Sequence, residues 1–163
     1  MRVFFVSTAL LLLSLSWNQG ASAQVNEKFA DMAADIELLR GMAQVERQAV
    51  VADNMRLTDQ EATAFWPVYK AYRADVAKIN DRLVKVITDY AAERDTLTDA
   101  QAKALIANYF SYEQDLLRTR KKYVARFDKA LPMVKVGRFY QIDNKLNAIT
   151  MIHLALGIPL AKQ

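Results

Sequence analysis

Nucleophilic and metal-centred chemistry draws on cysteine, histidine or closely paired carboxylates, and this chain has no cysteine and one histidine, His153. His153 lies among Ile152, Leu154 and Leu156, a setting that suits a core or interface histidine better than a metal ligand. Met32, Met42, Met55, Met133 and Met151 are dispersed, so no methionine-rich copper site is indicated. There is no glycine-rich phosphate loop and no metal-ligand spacing, and no carboxylate pair is set apart for acid–base work. No catalysis and no cofactor are expected. What remains is charge. Arg118, Lys122, Arg126 and Lys129 recur at steps of four, four and three, which places them on one stripe of a helix. Such a stripe is either a solvated face or a docking surface for acidic protein partners or anionic head groups.

The elements that would position this stripe begin with a helix-start signal that occurs twice, as Leu57-Thr58-Asp59-Gln60-Glu61 and Leu97-Thr98-Asp99-Ala100-Gln101. In each, the Thr hydroxyl can accept from the amide three residues on, while Glu61 or Gln101 reaches back to the Thr amide. Asp59, Glu61 and Asp99 add negative charge to first turns, where the helix dipole favours it. After Thr58, apolar or aromatic residues fall at Phe65, Tyr69, Tyr72, Val76, Ile79, Leu83, Val86 and Tyr90 in steps of four and three. After Thr98 come Ala102, Leu105, Tyr109, Tyr112, Leu116, Tyr123, Phe127 and Ala130, with Leu117 and Val124 widening the stripe and a break near Thr119 and Arg120. Two helices of roughly 50 Å follow at 1.5 Å per residue. The short connection from Glu93 to Leu97 makes them antiparallel.

A first helix is expected from Asn26 to Asn54, its apolar series weakening at Glu46 and Arg47, and Gly41 costing about 1 kcal/mol relative to Ala in its interior. Pro67 should kink the second helix between Thr63 and Pro67. Phe65 and Trp66, just before it, read as core or as a patch facing a bound protein. Pro132 suits the first position of a fourth helix, along which Val136, Phe139, Ile142, Leu146, Ile149 and Ile152 keep the spacing until Gly157 and Pro159. The tail from Ala148 to Leu160 is too short to cross a bilayer and is expected to cap the hairpin core or to form a dimer contact. The fold class is therefore all-α, a long antiparallel helical hairpin with flanking N- and C-terminal helices.

Residues 1–23 have the form of a cleaved secretory signal: Arg2, an apolar run from Val3 to Leu15, then Ala21-Ser22-Ala23. Residues 24–163 would form a single exported domain, held without disulfides by helix packing alone. Charge is uneven along it. The segment from Leu116 to Lys145 carries 9 basic and 2 acidic residues, against 11 and 16 from Gln24 to Asp115. One end is expected to be cationic.

The two Leu-Thr-x-x-Gln-like pentapeptides in a small exported helical chain resemble the Spy/CpxP-like periplasmic family. Leu97 to Gln101 fits that motif fully, and Leu57 to Glu61 departs only in its last residue. Phe65-Trp66-Pro67-Val68-Tyr69 and Arg138 to Leu146 look like those of an uncharacterised branch. The resemblance implies a bent hairpin with flanking helices, paired into a cradle-shaped homodimer that holds unfolded proteins or touches envelope-stress sensors without ATP. Metal binding by related groups is not carried over, since their ligands are missing here. Leu57, Thr58, Glu61, Leu97, Thr98 and Gln101 carry over as structural positions. The expected function is an ATP-independent binding protein for unfolded or acidic clients in the periplasm, using Arg118, Lys122, Arg126, Lys129, Arg138, Phe65 and Trp66. The alternatives are an accessory or inhibitory partner of one envelope sensor, and, behind it, contact with a membrane surface. Nucleic acid is not an expected partner.

Overall fold

The computed structural model describes residues 46–161 of the chain. The signal-like segment 1–23 and the part of the first helix before residue 46 lie outside the described residues. Within them, helix α1 occupies 46–55, α2 runs from Asp59 to Glu93, α3 from Asp99 to Asp128 and α4 from Met133 to Gly157. The described residues are all-α and contain no strand.

Both capping boxes form. Thr58 accepts from the Glu61 amide at 3.3 Å while its own amide donates to Glu61 Oε2 at 2.8 Å. Thr98 and Gln101 repeat the exchange at 3.4 and 2.9 Å. Each box satisfies two amides that the helix itself leaves unpaired, and this is why α2 and α3 start where they do. The α2 stripe is buried at Phe65, Tyr69, Tyr72, Val76, Ile79 and Leu83, as its spacing requires. Pro67 does not interrupt the helix. Around it, Phe65 is fully buried and Trp66 packs edge-on against Phe65 and Tyr69, with ring centroids 5.1 and 5.3 Å apart.

Helices α2 and α3 pack antiparallel along their length: Phe65 meets Phe127, Tyr72 meets Tyr123, and Arg82 pairs with Asp115, so numbers rise along one helix as they fall along the other. Helix α4 adds Phe139, whose ring centroid lies 4.6 Å from that of Phe127, and α1 adds Val51 and Met55. Contacts among these rings are offset or edge-to-face, each worth about 0.5–1.5 kcal/mol beyond burial. A smaller apolar cluster of Ile79, Leu83 and Tyr112 lies further along the hairpin, with Leu154 against it.

The connection from α1 to α2 turns at Arg56, whose φ of 47° is left-handed and costs a non-glycine residue about 1–2 kcal/mol. Helix α4 secures it. Arg138 Nε donates to the Asn54 carbonyl at 2.6 Å, and Lys135 Nζ donates to the Arg56 carbonyl at 3.4 Å and pairs with Glu61.

Helix α4 departs most from the spacing argument. Val136 and Phe139 are buried and Ile142 and Leu146 pack half-buried against the main core as expected, but the fully buried position between those two is Asp143, and Ile149 and Ile152 are more than half exposed. Leu154 is the residue that turns inward. The tail therefore does not cap the hairpin as a unit: Leu154 packs on the smaller cluster and Tyr90 donates to the Pro159 carbonyl at 2.8 Å, while Leu156 and Leu160 are exposed. His153 is exposed too, so it is not a core histidine. Leu117 likewise faces solvent and does not widen the α3 core face. Pro132 is the N-cap of α4 rather than its first helical residue.

Candidate functional site: a cationic stripe and a buried arginine–aspartate centre

The stripe expected on α3 is on the surface: Arg118, Lys122, Arg126 and Lys129 are all exposed. Arg118 Nη1 lies 2.9 Å from Asp115 Oδ1, and Lys122 Nζ lies 3.7 Å from Asp75 Oδ2. Both cations are well solvated, and such pairs are worth at most about 1 kcal/mol. Arg126 stacks over the Tyr123 ring at 4.6 Å. Arg126 and Lys129, with Ala64, Val68 and Ala130, line an open depression of about 310 Å³ between α2 and α3. A solvated face and a docking face share this geometry. Exposed apolar side chains lie nearby in the sequence, with Ile106, Phe110 and Leu117 forming one stripe on α3, and Ile149, Ile152 and Leu156 another on α4.

Three residues expected to face a partner have other occupations. Phe65 is wholly inside the aromatic core and meets no solvent. Trp66 is half-buried against the same core. Arg138 is exposed but committed to the Asn54 carbonyl, where it serves the end of α1. Of the motif leucines, Leu57 packs against the main core and Leu97 is half-buried.

The principal charged site is one that spacing arguments passed over. Asp143, 2% exposed, is buried where four helices meet. Its Oδ1 accepts from Arg47 Nη1 of α1 at 3.1 Å, and its Oδ2 accepts from Tyr72 of α2 at 2.8 Å and from Asn147 of α4 at 3.2 Å. Arg73 of α2 and Arg120 of α3 each bring a guanidinium nitrogen to 4.0 Å from the carboxylate. Arg120 also donates to Asn144 and lies over the Tyr140 ring, while Tyr140 donates to the Arg120 carbonyl at 2.8 Å. Burial, and then the Asp143 carboxylate it bonds to, push the Tyr72 hydroxyl far above its usual pKa of 10.0. Tyr140 is pushed up to about 12, by burial against the opposing pull of Arg120. Burial, followed by the charge of Arg73, lowers the pKa of Arg47, and Asp143 only partly offsets this.

A signal for this centre was present in the sequence. Arg47 stands where the α1 series weakens, Arg120 where the α3 series breaks, and Asp143 four residues after Phe139 on the inward face of α4. Among the described residues no group of three or more histidine, cysteine or acidic side chains is placed to hold a metal ion. No described helix is long and apolar enough to cross a membrane. Comparison with protein-family models, with curated proteins and with solved structures found no match to this chain.

Proposed function

We propose that this chain is an ATP-independent binding protein that shields unfolded or damaged proteins in the cell envelope. The observation that carries the reading is the outer surface of α3, where exposed Ile106, Phe110 and Leu117 are followed along the same helix by exposed Arg118, Lys122, Arg126 and Lys129. Unfolded chains offer both apolar segments and acidic side chains. A surface with both features draws them in by charge and holds them by apolar contact. The resemblance of the two capping-box motifs to the Spy/CpxP-like family supports the same reading. So does the signal-like form of residues 1–23, which implies action outside the cytoplasm, where ATP is not at hand. Pairing into a homodimer would set two such surfaces side by side.

Light scattering of a chemically unfolded model protein, diluted with and without an equimolar amount of this chain, tests the proposal. Aggregation should be suppressed without ATP, and suppression should weaken as salt rises. Reversing charge at Arg118, Lys122 and Arg126 together to Glu should slow capture and flatten its salt dependence. Arg118 and Lys122 make only solvated ion pairs and the exposed Arg126 stacks on the edge of the core at Tyr123, so the fold should survive the change. No suppression at severalfold excess would refute the reading and favour an accessory partner of a single envelope sensor. Vesicles of anionic lipid that pellet the chain would favour a membrane-surface role instead.

A further inference from the structure

The centre around Asp143 does not balance. Among the described residues three guanidinium groups, from Arg47, Arg73 and Arg120, face one carboxylate, an excess of two positive charges among side chains that are at least three-quarters buried. Arg73 carries the imbalance most plainly. Its Nε and Nη1 are buried without a hydrogen-bond acceptor, and Nη1 stops at 4.0 Å from Asp143, beyond bonding distance. Asp143 is already held by Arg47, Tyr72 and Asn147, and its Oδ1, which accepts only from Arg47, stays out of bonding reach of Arg73. A buried donor without an acceptor is destabilising, and more so when it is charged. Water could fill a lone pair of donors, but it would leave the charge excess in place.

We propose that this centre is a binding site for a small tetrahedral oxyanion of the inorganic phosphate class. Arginine is the side chain best suited to it, being planar, permanently charged and a multiple donor to anionic oxygens. Two guanidinium groups with spare donors converge here from different helices, Arg73 from α2 and Arg120 from α3. Arg120 is a quarter exposed and its partner Asn144 is exposed, which marks the side on which the centre meets solvent. The anion would neutralise the excess and supply Arg73 with its missing acceptor. Because Arg47 belongs to α1 and Asp143 to α4, an anion held here also ties the N-terminal helix to the rest of the bundle. The site is separate from the α3 surface proposed for client binding, so either assignment can fail without the other.

The test is thermal unfolding of the full chain, followed by circular dichroism, with inorganic phosphate exchanged for chloride at constant ionic strength. Phosphate at roughly a hundred times its Kd should raise Tm by about 10 °C, along a saturating curve. Arg73→Gln removes the unpartnered charge, so in chloride its Tm should equal or exceed that of the wild type, and phosphate should no longer shift it. Lys121→Gln, the same change of charge at an exposed position of α3, should keep the full phosphate shift. Arg120→Gln should weaken the shift and serves as the second variant if Arg73→Gln does not fold. Saturable broadening of the phosphorus resonance by the wild-type chain should give the same Kd. The proposal is overturned if phosphate leaves the wild-type Tm unchanged, if Arg73→Gln shifts as far as the wild type, or if the phosphorus line does not broaden.

Discussion

Replacing Asp143 with Asn changes the shape of one side chain hardly at all and removes the one negative charge that, among the described residues, faces Arg47, Arg73 and Arg120. The carboxylate accepts at 3.1 Å from Arg47, at 2.8 Å from Tyr72 and at 3.2 Å from Asn147. An amide keeps one accepting oxygen and turns an NH₂ toward whichever of these donors is left. Taking one partner from a buried ion pair costs about 3–5 kcal/mol, because the other charge stays buried and uncompensated. That is a large share of the 5–15 kcal/mol available to a domain of this size. Urea unfolding in chloride buffer, followed by helical ellipticity, should show the midpoint fall with little change in slope. Heating should show Tm lower by roughly 10–20 °C. Adding Arg73→Gln to Asp143→Asn should recover part of the loss, since it removes one of three like charges left facing each other. A loss below about 1 kcal/mol for Asp143→Asn would refute the account, as would a double variant less stable than Asp143→Asn alone.

Two further outcomes follow from the same structure. Thr58→Ala and Thr98→Ala should each destabilise by about 1 kcal/mol. The two losses should add, because the caps lie at opposite ends of the long axis of α2, roughly 50 Å apart; chemical denaturation of the three variants checks this. Stability should fall as pH rises above 10. The folded state keeps protons on Tyr69, Tyr72, Tyr112 and Tyr140 that the unfolded chain gives up near its ordinary tyrosine pKa. For Tyr140 the window closes near pH 12. Absorbance of tyrosinate against pH, run beside the unfolding curve, should show these groups ionising only as the helices melt.

The hairpin was legible because its signals agree. In α2, six positions of one spacing are buried, and both Thr residues cap the helices that they announce. Helix α4 was not legible in the same way. The expected series through Val136, Phe139, Ile142 and Leu146 does face the core, but beyond it the inward line passes through Asp143 and Leu154 and leaves Ile149 and Ile152 outside. An apolar count cannot choose between two faces when both are apolar, and a rule that puts charge outside rejects the correct one at Asp143. The site suffered from the same limit. Arg47 and Arg120 were visible as flaws in two apolar series, but periodicity within a helix says nothing about which flaws on different helices will meet. Phe65 and Trp66 were ambiguous for the opposite reason, since aromatic side chains beside a proline suit a core and a docking patch alike.

The placement of that centre accounts for how α4 is held. Along α3 and α4, Arg120 and Asp143 lie between the main aromatic cluster and the smaller one around Ile79, Leu83 and Tyr112, while Tyr72 of α2 joins the centre to the main cluster. A helix that is apolar on more than one side gains similar burial in several rotations, so hydrophobic contact alone does not fix which face turns in. Asp143 removes that freedom. A turn of one residue, about 100° for an α-helix, would carry its carboxylate away from Arg47 and Tyr72 and take from the buried guanidinium groups the counter-charge that Asp143 supplies. The energy that such a buried pair adds to folding is small, but the cost of misplacing it is large. With Asp143 turned in, Ile149 and Ile152 must turn out, so the exposed apolar face of α4 is a consequence of where the charge is buried.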